Sequence, residues 1–299
     1  MGAIIIGNNI IIEDNVTIGK DTYIEVPSIE VLKNTSIGKN CEIVASRIVI
    51  GDFNKIASEV SIDISGGRYF DSNLFTGRGC LIASGCYINV CRQVKLGDYV
   101  ALSPKSMIFT HSYWQSILDG YPINYGTVEL DNDSWLGANA QILPNTKIGK
   151  GSIIISGSLI VSDVQPFTMV GGIPATILKR NLKKEKTPNQ INQILDNLFN
   201  ELIDSLESNG FMVERQKGNK FIVAFEDKKI SCGLSKNNES DNELKDCNLI
   251  IGYSIKKDQF IESSLIFSIQ DKTINGEYNE LGKFIREFFR HKGIQLYHT

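Results

Sequence analysis

Residues 130–160 read LDNDSWLGANAQILPNTKIGKGSIIISGSLI, and this stretch decides the fold. Aliphatic side chains recur in it every six residues, at Leu130, Leu136, Ile142, Ile148, Ile154 and Ile160. Small residues follow each of the first five by four positions, at Ser134, Ala140, Thr146, Ser152 and Ser158. A period of six fits neither the roughly 3.6-residue period of a helix nor the two-residue alternation of a strand. Each repeat is therefore a short strand plus a corner, and such units stack into a prism.

The same register runs through the preceding part of the chain, at Ile6, Ile12, Ile18, Ile24, Ile37, Ile43, Ile50, Ile56, Ile62, Val90, Leu96, Leu102 and Ile108. Branched aliphatic side chains pack well against copies of themselves one coil away, and small residues fit a tight interior corner. The register therefore predicts one solenoid over roughly residues 4 to 165.

Composition is that of an ordinary globular protein long enough for two cores, with 299 residues of which 42% are hydrophobic. The net charge is −3, so the chain lacks the excess of positive charge typical of proteins that bind nucleic acid, and nucleic acid is not an expected partner. The apolar runs are far shorter than the roughly 20 residues that span a bilayer, so no membrane span is expected. Six cysteines without a CxxC pair indicate buried thiols in a reducing compartment, and we expect a cytoplasmic protein.

The repeat units IGKGSI at 148–153 and LGANAQ at 136–141 resemble those of the hexapeptide-repeat acyltransferases. The segment GTVELDNDSWLG at 126–137 is similar to one that follows the catalytic histidine of that family. In motif the chain is nearest to the maltose and galactoside O-acetyltransferases, and the resemblance covers about residues 1–180. It implies a left-handed parallel β-helix, acetyl-CoA as co-substrate, a small-molecule or carbohydrate acceptor, and a homotrimer.

A second domain is predicted after the repeats end. Residues 1–180 would form the β-helix with its C-terminal cap, and residues 187–299 a small α+β domain that resembles no family we recognise. Thr187 and Pro188 are typical of a helix start, and Gly210 of its end. Strands are expected at 211–216, 220–226, 249–255 and 264–270, a closing helix around 281–289, and a polar loop at 237–246.

One histidine lies in the first domain, His111, and it stands in the longest interruption of the repeats, from Thr110 to Glu129. Loops that leave a rigid scaffold often carry function, yet a lone histidine on a loop is equally consistent with a surface contact. The resemblance favours catalysis and implies that His111 is the general base of direct acyl transfer. A covalent route through Cys86 or Cys91 is a minor alternative, since nothing nearby in sequence marks either thiol as activated.

Cofactor and acceptor contacts are also implied. The resemblance assigns backbone contacts with the pantetheine arm to Trp135, Ala138, Ser156 and Gly157. Lys179 and Arg180 would meet the nucleotide phosphates, or else form a solvated linker. The family's Asn-Phe-Asn sugar-binding segment is replaced by Ala83-Ser84-Gly85. The remaining candidates for acceptor binding are Arg68, Asp71, Asn89, Trp114, Gln115, Asp119 and Tyr121.

Two other classes of protein share this fold. A non-catalytic β-helix scaffold, whose tail domain binds a partner, is the alternative to a CoA-dependent sugar or nucleotide-sugar acetyltransferase. A zinc enzyme of the γ-carbonic anhydrase type needs three histidines around the metal, and the prism contains only His111. No metal is therefore expected.

Overall fold

The computed structural model describes residues 2–216, 220–225, 228–235, 247–252, 265–270, 272–276, 280–292 and 294–298. The chain divides into two compact units, Met1–Lys184 and Glu185–Thr299. The sequence analysis predicted domains of 1–180 and 187–299.

The first unit consists of short strands joined by corners. In chain order they are β1 (Ile4–Ile6), β2 (Asn9–Ile12), β3 (Thr17–Ile18), β4 (Tyr23–Glu25), β5 (Ser28–Val31), β6 (Ser36–Ile37), β7 (Glu42–Val44), β8 (Arg47–Ile50), β9 (Lys55–Ile56), β10 (Ser61–Asp63), β11 (Asn73–Thr76), β12 (Leu81–Ile82), β13 (Tyr87–Asn89), β14 (Val94–Leu96), β15 (Ala101–Leu102), β16 (Met107–Ile108), β17 (His111–Ser112), β18 (Asn124–Tyr125), β19 (Val128–Leu130), β20 (Trp135–Leu136), β21 (Gln141–Ile142), β22 (Thr146–Ile148), β23 (Ile153–Ile154), β24 (Leu159–Ile160), β25 (Met169–Gly172) and β26 (Ala175–Lys179).

These strands build the three walls of a prism. Sheet A has the order β1-β4-β7-β10-β13-β16-β21-β24, and sheet B the order β2-β5-β8-β11-β14-β19-β22. Sheet C runs β26-β25-β23-β20-β15-β12-β9-β6-β3. Apart from the antiparallel pair β25–β26 that closes sheet C, the three walls pair in parallel. The prediction of a mainly β fold built as a parallel β-helix of hexapeptide repeats is confirmed.

In-register stacking of like side chains forms the core of the prism. In sheet A the strand pairs align Ile43 with Ile62, Ile62 with Ile88, and Ile88 with Ile108. All four of these isoleucines are fully buried. Full burial of one such side chain stabilises a fold by about 1.5–3 kcal/mol, so each isoleucine of the stacked column contributes to the stability of the wall.

The corners leave little room for side chains. A Cβ atom on Gly38 would lie 2.4 Å from the backbone nitrogen of Ser58 in the next coil. The small residues of the repeat, such as Ser134, Ser152 and Ser158, are buried. Because neighbouring coils touch at these corners through their backbones, glycine or a small residue is required there.

Two long excursions interrupt the prism, and both leave it where sheet A ends and sheet B begins. The first connects β10 to β11, and the second connects β16 to β19. The second contains the antiparallel pair β17–β18 and a 3-10 turn at Ile117–Asp119. Because β10, β13 and β16 are successive strands of sheet A, the two excursions emerge from the same corner, separated by one uninterrupted coil.

The second unit is an α+β domain. Its elements are α1 (Pro188–Ser208), β27 (Met212–Arg215), β28 (Lys220–Phe225), β29 (Lys228–Ser235), β30 (Leu249–Gly252), β31 (Leu265–Ser268), β32 (Thr273–Asn275), α2 (Glu280–His291) and β33 (Tyr297–His298). Within the described residues the strands form one sheet in chain order. Phe199 of α1 and Phe289 of α2 belong to the same buried cluster as Phe221, Leu249 and Phe267 of the sheet.

The start of α1 shows how local sequence sets a boundary in this unit. The hydroxyl group of Thr187 accepts from the backbone N–H of Gln190, and the Gln190 side chain accepts from the Thr187 N–H. This reciprocal pair is a capping box, and Pro188 follows at the first helical position. The sequence analysis did not predict β29, and its polar loop at 237–246 lies outside the described residues.

We predict that Ile48→Ala lowers the stability of the prism far more than Val49→Ala. Ile48 is fully buried in β8, whereas its neighbour Val49 points outward and is partly exposed. Removal of a buried isoleucine side chain to Ala costs about 2–5 kcal/mol through lost burial and the cavity that remains. Thermal unfolding followed by the β-sheet circular dichroism signal measures the effect, and equal losses for the two variants would contradict the inward register.

Candidate active site

His111 is the first residue of β17, directly outside the corner between sheets A and B. The antiparallel pair β17–β18 aligns it with Tyr125 at the other end of the excursion. The imidazole is partly buried, so one edge of the ring faces the protein while solvent reaches the rest. The titratable ring is therefore held by a paired strand and remains partly accessible to solvent.

The Nδ1 atom of His111 lies 2.9 Å from Oδ1 of Asn89, the last residue of β13. Asn89 is fully buried. Its Nδ2 group donates to the Asp63 carboxylate at 3.0 Å and to the backbone carbonyl of Ser65 at 2.7 Å. Its Oδ1 also accepts from the Thr110 hydroxyl at 2.7 Å. The amide is thus hydrogen-bonded on all sides by groups of the same corner.

These partners determine which way the amide points. An ionised carboxylate and a backbone carbonyl can only accept hydrogen bonds, so the NH₂ group of Asn89 must face Asp63 and Ser65. The oxygen of Asn89 then faces His111, and the Nδ1 atom of His111 must carry the hydrogen. The neutral imidazole is held as the Nδ1–H tautomer, which leaves a lone pair on Nε2.

Partial burial also keeps the imidazole neutral. Desolvation lowers the pKa of His111 below its ordinary value of 6.5, and the negative charge of Asp63 partly offsets this effect. A neutral ring with a free Nε2 lone pair can accept a proton near neutral pH. The site therefore has the properties of a general base.

Aromatic rings form one side of the site. The ring of His111 lies 5.5 Å from that of Tyr113 and 6.3 Å from that of Tyr125, measured between centroids. Tyr69, from the first excursion, lies 6.0 Å from Tyr125. The Arg92 guanidinium packs over Tyr69 at 3.6 Å and over Tyr125 at 4.8 Å. Arg92 comes from the coil between the excursions, so it joins both of them by cation–π contacts.

Gly66, in the first excursion, lies against the imidazole. A Cβ atom at this position would be 2.8 Å from Cγ and Cδ2 of His111, a distance that real Cβ atoms do not tolerate. The residue also has a φ of +96°, which favours glycine. Gly66 therefore lets the first excursion close directly over the histidine of the second.

The acceptor candidates occupy different environments. Arg68 pairs with Glu25 at 3.7 Å, and Asp71 pairs with Arg92 at 3.7 Å. The candidates of the second excursion, Trp114, Gln115, Asp119 and Tyr121, are all exposed, and Trp114 is 91% accessible. Asn89, by contrast, is buried and uses both ends of its amide internally. Its position makes it the orienting partner of the imidazole, whereas the sequence analysis predicted that it contacts the acceptor.

The cofactor candidates lie along sheet C and its exit corner. Trp135 is half-exposed on β20, and its Nε1 donates to the Ser103 hydroxyl at 2.7 Å. Ala138 and Gly157 are stacked at successive corners, where the Gly157 N–H donates to the Ala138 carbonyl at 2.8 Å. Ser156 is exposed beside them.

Lys179 lies on the same ladder as Trp135. The ladder aligns Trp135 with Ile153, Ile153 with Met169 and Met169 with Lys179. At the usual strand spacing these three steps place Lys179 roughly 14 Å from Trp135. Lys179 and Arg180 are both exposed.

The structure does not bring the cofactor candidates to His111 within one chain. Ala138, Ser156 and Gly157 lie at the corner between sheets C and A, whereas His111 lies at the corner between sheets A and B. The full width of sheet A separates the two groups. His111 and the acceptor candidates share one corner, whereas the cofactor candidates lie along sheet C and at its other corner with sheet A.

Several residues of the His111 corner escaped the sequence analysis, among them Asp63, Gly66, Arg92, Tyr113 and Tyr125. A signal for Asp63 and Asn89 was present, because each directly follows an inward isoleucine, Ile62 or Ile88, in consecutive strands of sheet A. The period of the repeat therefore stacks these two side chains. No comparable signal marks Gly66 or Arg92, whose contacts depend on the path of the excursions.

Thiol chemistry has little support in the prism. Burial raises the pKa of the Cys86 and Cys91 thiols, so neither is activated as a thiolate. The six cysteines are free and buried.

Among the described residues no group of three or more His, Cys, Asp or Glu side chains is placed to hold a metal ion. Neither helix in this part of the chain has the length and apolar character required to cross a membrane.

We predict that Gly66→Ala displaces the His111 ring, whereas Gly67→Ala does not. Both positions have positive φ, +96° and +113°, so both variants carry backbone strain. Only the Gly66 Cβ would collide with the imidazole, since the Gly67 Cβ would meet the Tyr69 ring at 3.2 Å. The ring resonances of His111, assigned by comparison with His111→Ala, report the displacement. Equal shifts in the two variants would refute a specific contact.

Comparisons with known proteins find relatives that are named acetyltransferases. No family model matches the chain. A chloramphenicol acetyltransferase of Klebsiella aerogenes is 33% identical over 124 residues, which are 41% of this chain and 57% of that protein. A 2,3,4,5-tetrahydropyridine-2,6-dicarboxylate N-acetyltransferase of Clostridium perfringens is 44% identical over 62 residues, 21% of this chain and 26% of that protein. The chain thus spans little more than half of the first relative and about a quarter of the second.

A solved structure that matches is a hexapeptide-repeat acetyltransferase of Vibrio cholerae in complex with acetyl coenzyme A. It is 20% identical, with a TM-score of 0.35 over 52% of this chain and 72% of that one. The two relatives in sequence are named acetyltransferases, and the solved structure is named a hexapeptide-repeat acetyltransferase, so the chain is similar to proteins of the kind that its repeat motifs resemble.

Proposed function

We propose that the chain is a CoA-dependent acetyltransferase in which His111 is the general base. The observation that carries this proposal is the contact between Nδ1 of His111 and Oδ1 of Asn89, which leaves the lone pair of Nε2 to accept a proton. The similarity to named acetyltransferases supports the choice of reaction. A general base of this kind typically contributes about 10²–10⁴-fold to a rate.

In this reaction Nε2 of His111 takes the proton from an acceptor hydroxyl or amine as that group attacks the thioester carbonyl carbon. The carbon–sulfur bond then breaks. The imidazolium returns its proton to the departing thiolate, so the histidine is neutral again at the end of the cycle. Transfer is direct, consistent with the unactivated state of Cys86 and Cys91.

Sheet C is the proposed wall for acetyl-CoA. The corners at Ala138 and Gly157 present small residues with open surface for an extended arm, and Trp135 offers a half-exposed ring. Lys179, at the end of β26, and Arg180, directly after it, provide exposed positive charge for the phosphates. The spacing of roughly 14 Å between Trp135 and Lys179 suits a molecule with its thioester at one end and its nucleotide at the other.

A homotrimer would complete the site, because a neighbouring chain can present its sheet C corner to His111. This arrangement would resolve the separation of the two groups by the width of sheet A. Three chains related by a closed symmetry axis would form three equivalent sites. We further propose that residues 1–180 carry the transfer chemistry and that residues 187–299 help to select the acceptor or stabilise the assembly.

The proposed acceptor is a sugar, a nucleotide sugar or another small molecule bearing hydroxyl or amine groups. The tyrosine rings beside His111 and the exposed polar residues of the second excursion suit contacts with such a molecule. The excursion also exposes Trp114, Leu118 and Tyr121, which supply apolar surface. A combination of ring faces and a few polar groups is typical of small-molecule sites.

We predict that acetyl-CoA raises the melting temperature of the chain and that acceptor-dependent CoA release requires His111. Ligand at 100 times its dissociation constant adds about 2.7 kcal/mol to stability. Thiol release is measured with a panel of sugars, nucleotide sugars, amines and chloramphenicol, for wild type, His111→Ala and the control His291→Ala. Release should fall at least 100-fold in His111→Ala alone. Absence of both the thermal shift and His111-dependent release would favour a binding scaffold.

We also predict a trimer in solution with a mass of about 100 kDa, three times the 33.2 kDa of one chain. Mixing two inactive variants tests whether the site is shared. His111→Ala removes the base of one corner, and a bulky Gly157→Trp blocks the cofactor corner. Co-refolded or co-expressed mixed trimers should regain part of the activity, since some interfaces combine two intact corners. A monomer, or mixtures with no recovered activity, would contradict a shared site.

A further inference from the structure

Behind His111 the structure holds a chain of three side chains, His111, Asn89 and Asp63. Asp63 ends β10, Asn89 ends β13, and the two are aligned partners in sheet A. The Asp63 carboxylate accepts from Asn89, from the Tyr87 hydroxyl at 3.0 Å, and from the hydroxyl and backbone N–H of Ser65 at 2.9 and 3.1 Å. The carboxylate is therefore fixed in position and well supplied with donors.

The middle member of this chain has no net charge. A carboxylate in direct contact with Nδ1 would hold the tautomer equally well, but it would also stabilise the protonated imidazole and raise its pKa by about 1–3 units. An amide oxygen accepts the same hydrogen bond without a full negative charge. An amide alone, however, can rotate and present its NH₂ group to the ring, which would force the wrong tautomer.

Asp63 prevents that rotation. Its carboxylate can only accept, so it holds the NH₂ group of Asn89 on the side away from His111. The Thr110 hydroxyl, 2.7 Å from Oδ1, and the Cys91 N–H, 3.3 Å from it, reinforce the same orientation from the other end. The Asp63 carboxylate thus orients the Asn89 amide, and the Asn89 amide orients the His111 imidazole.

We infer that Asn89 is a neutral positioning residue that fixes the Nδ1–H tautomer of His111 while it keeps the Asp63 charge out of contact with the ring. This inference rests on the proposed function, because the tautomer and the free base matter only if His111 accepts a proton. Its consequence is a base that stays unprotonated, and therefore active, into mildly acidic solution.

The other groups that face His111 do not replace Asp63 in this role. Tyr113 and Tyr125 present neutral rings, and burial raises the pKa of Tyr125. Arg92 lies behind Tyr125, and its charge is paired with Asp71 at 3.7 Å. Gly66 presents backbone only. Asp63 is therefore the carboxylate that is linked to the imidazole through a hydrogen-bonded side chain.

The test is the titration of His111 by NMR in the full-length protein labelled with ¹⁵N and ¹³C in its three histidines. The wild-type ring should be the Nδ1–H tautomer when neutral. Asn89→Asp should raise its pKa by at least one unit, because a carboxylate then contacts the ring. Asp63→Asn should lower the pKa, because the more distant negative charge is lost. Asp119→Asn, the same change on the exposed part of the second excursion, should have no effect.

Opposite shifts in Asn89→Asp and Asp63→Asn distinguish this role from simple structural damage, which would move both variants in the same direction. The acidic limb of the pH–rate profile should move with the pKa, so the pH of half-maximal rate rises in Asn89→Asp and falls in Asp63→Asn. If Asn89→Asp does not fold, the inference is still tested by the pKa of His111 in Asp63→Asn and by the tautomer of the neutral ring in the wild type.

An Nε2–H tautomer in the wild type, or an unchanged pKa in folded Asn89→Asp, would overturn the inference. The titration does not require turnover. If the pKa of His111 shifts as expected in both variants but no acetyl transfer is detected, the proposed function is contradicted and the role of Asn89 is not. If acetyl transfer is intact but the pKa of His111 is the same in the variants as in the wild type, the role of Asn89 is contradicted and the proposed function is not.

Discussion

Parallel stacking of coils in register is the constraint on which the rest of the structure depends. Each strand pairs with its counterpart one coil away, so a side chain at a given position of one coil lies beside the side chain at the same position of the next. Inside the prism this rule aligns Ile62 with Ile88 and Ile108. At the last position of β10 and of β13, the same rule places Asp63 beside Asn89. The core and the support of the candidate base therefore have one geometric origin.

Much of the prism follows from sequence because its pattern is local and repeated many times. Six-residue spacing identifies the inward isoleucines, and the small residues between them identify the corners. His111 was found because it stands where the pattern stops. In the tail the pattern is weaker: the helix beginning at Pro188 was predicted from its cap and its apolar register, whereas the strand at Lys228–Ser235 was not.

The surroundings of His111 were harder to predict, for physical reasons that differ between residues. Asn89 is 22 positions before His111, and His111 stands in the antiparallel pair β17–β18 outside the three walls of the prism, so counting in sixes does not link the two. Gly66 and Arg92 act through the path of the backbone and through ring packing, neither of which leaves a periodic trace. Asn89 was expected to contact an acceptor because polar residues near a loop suggest binding. Burial instead gives it an internal partner.

The two excursions leave from one corner with a single regular coil between them, and this limits where the prism can change length. A solenoid tolerates the gain or loss of a whole coil at most places, since each coil contacts only its neighbours. Between β10 and β16 such a change would move Asp63 and Gly66 one strand spacing, roughly 4.8 Å, away from their partners Asn89 and His111. Evolution can therefore lengthen or shorten this β-helix toward either end, while the coils from β10 to β16 must be inherited as a block.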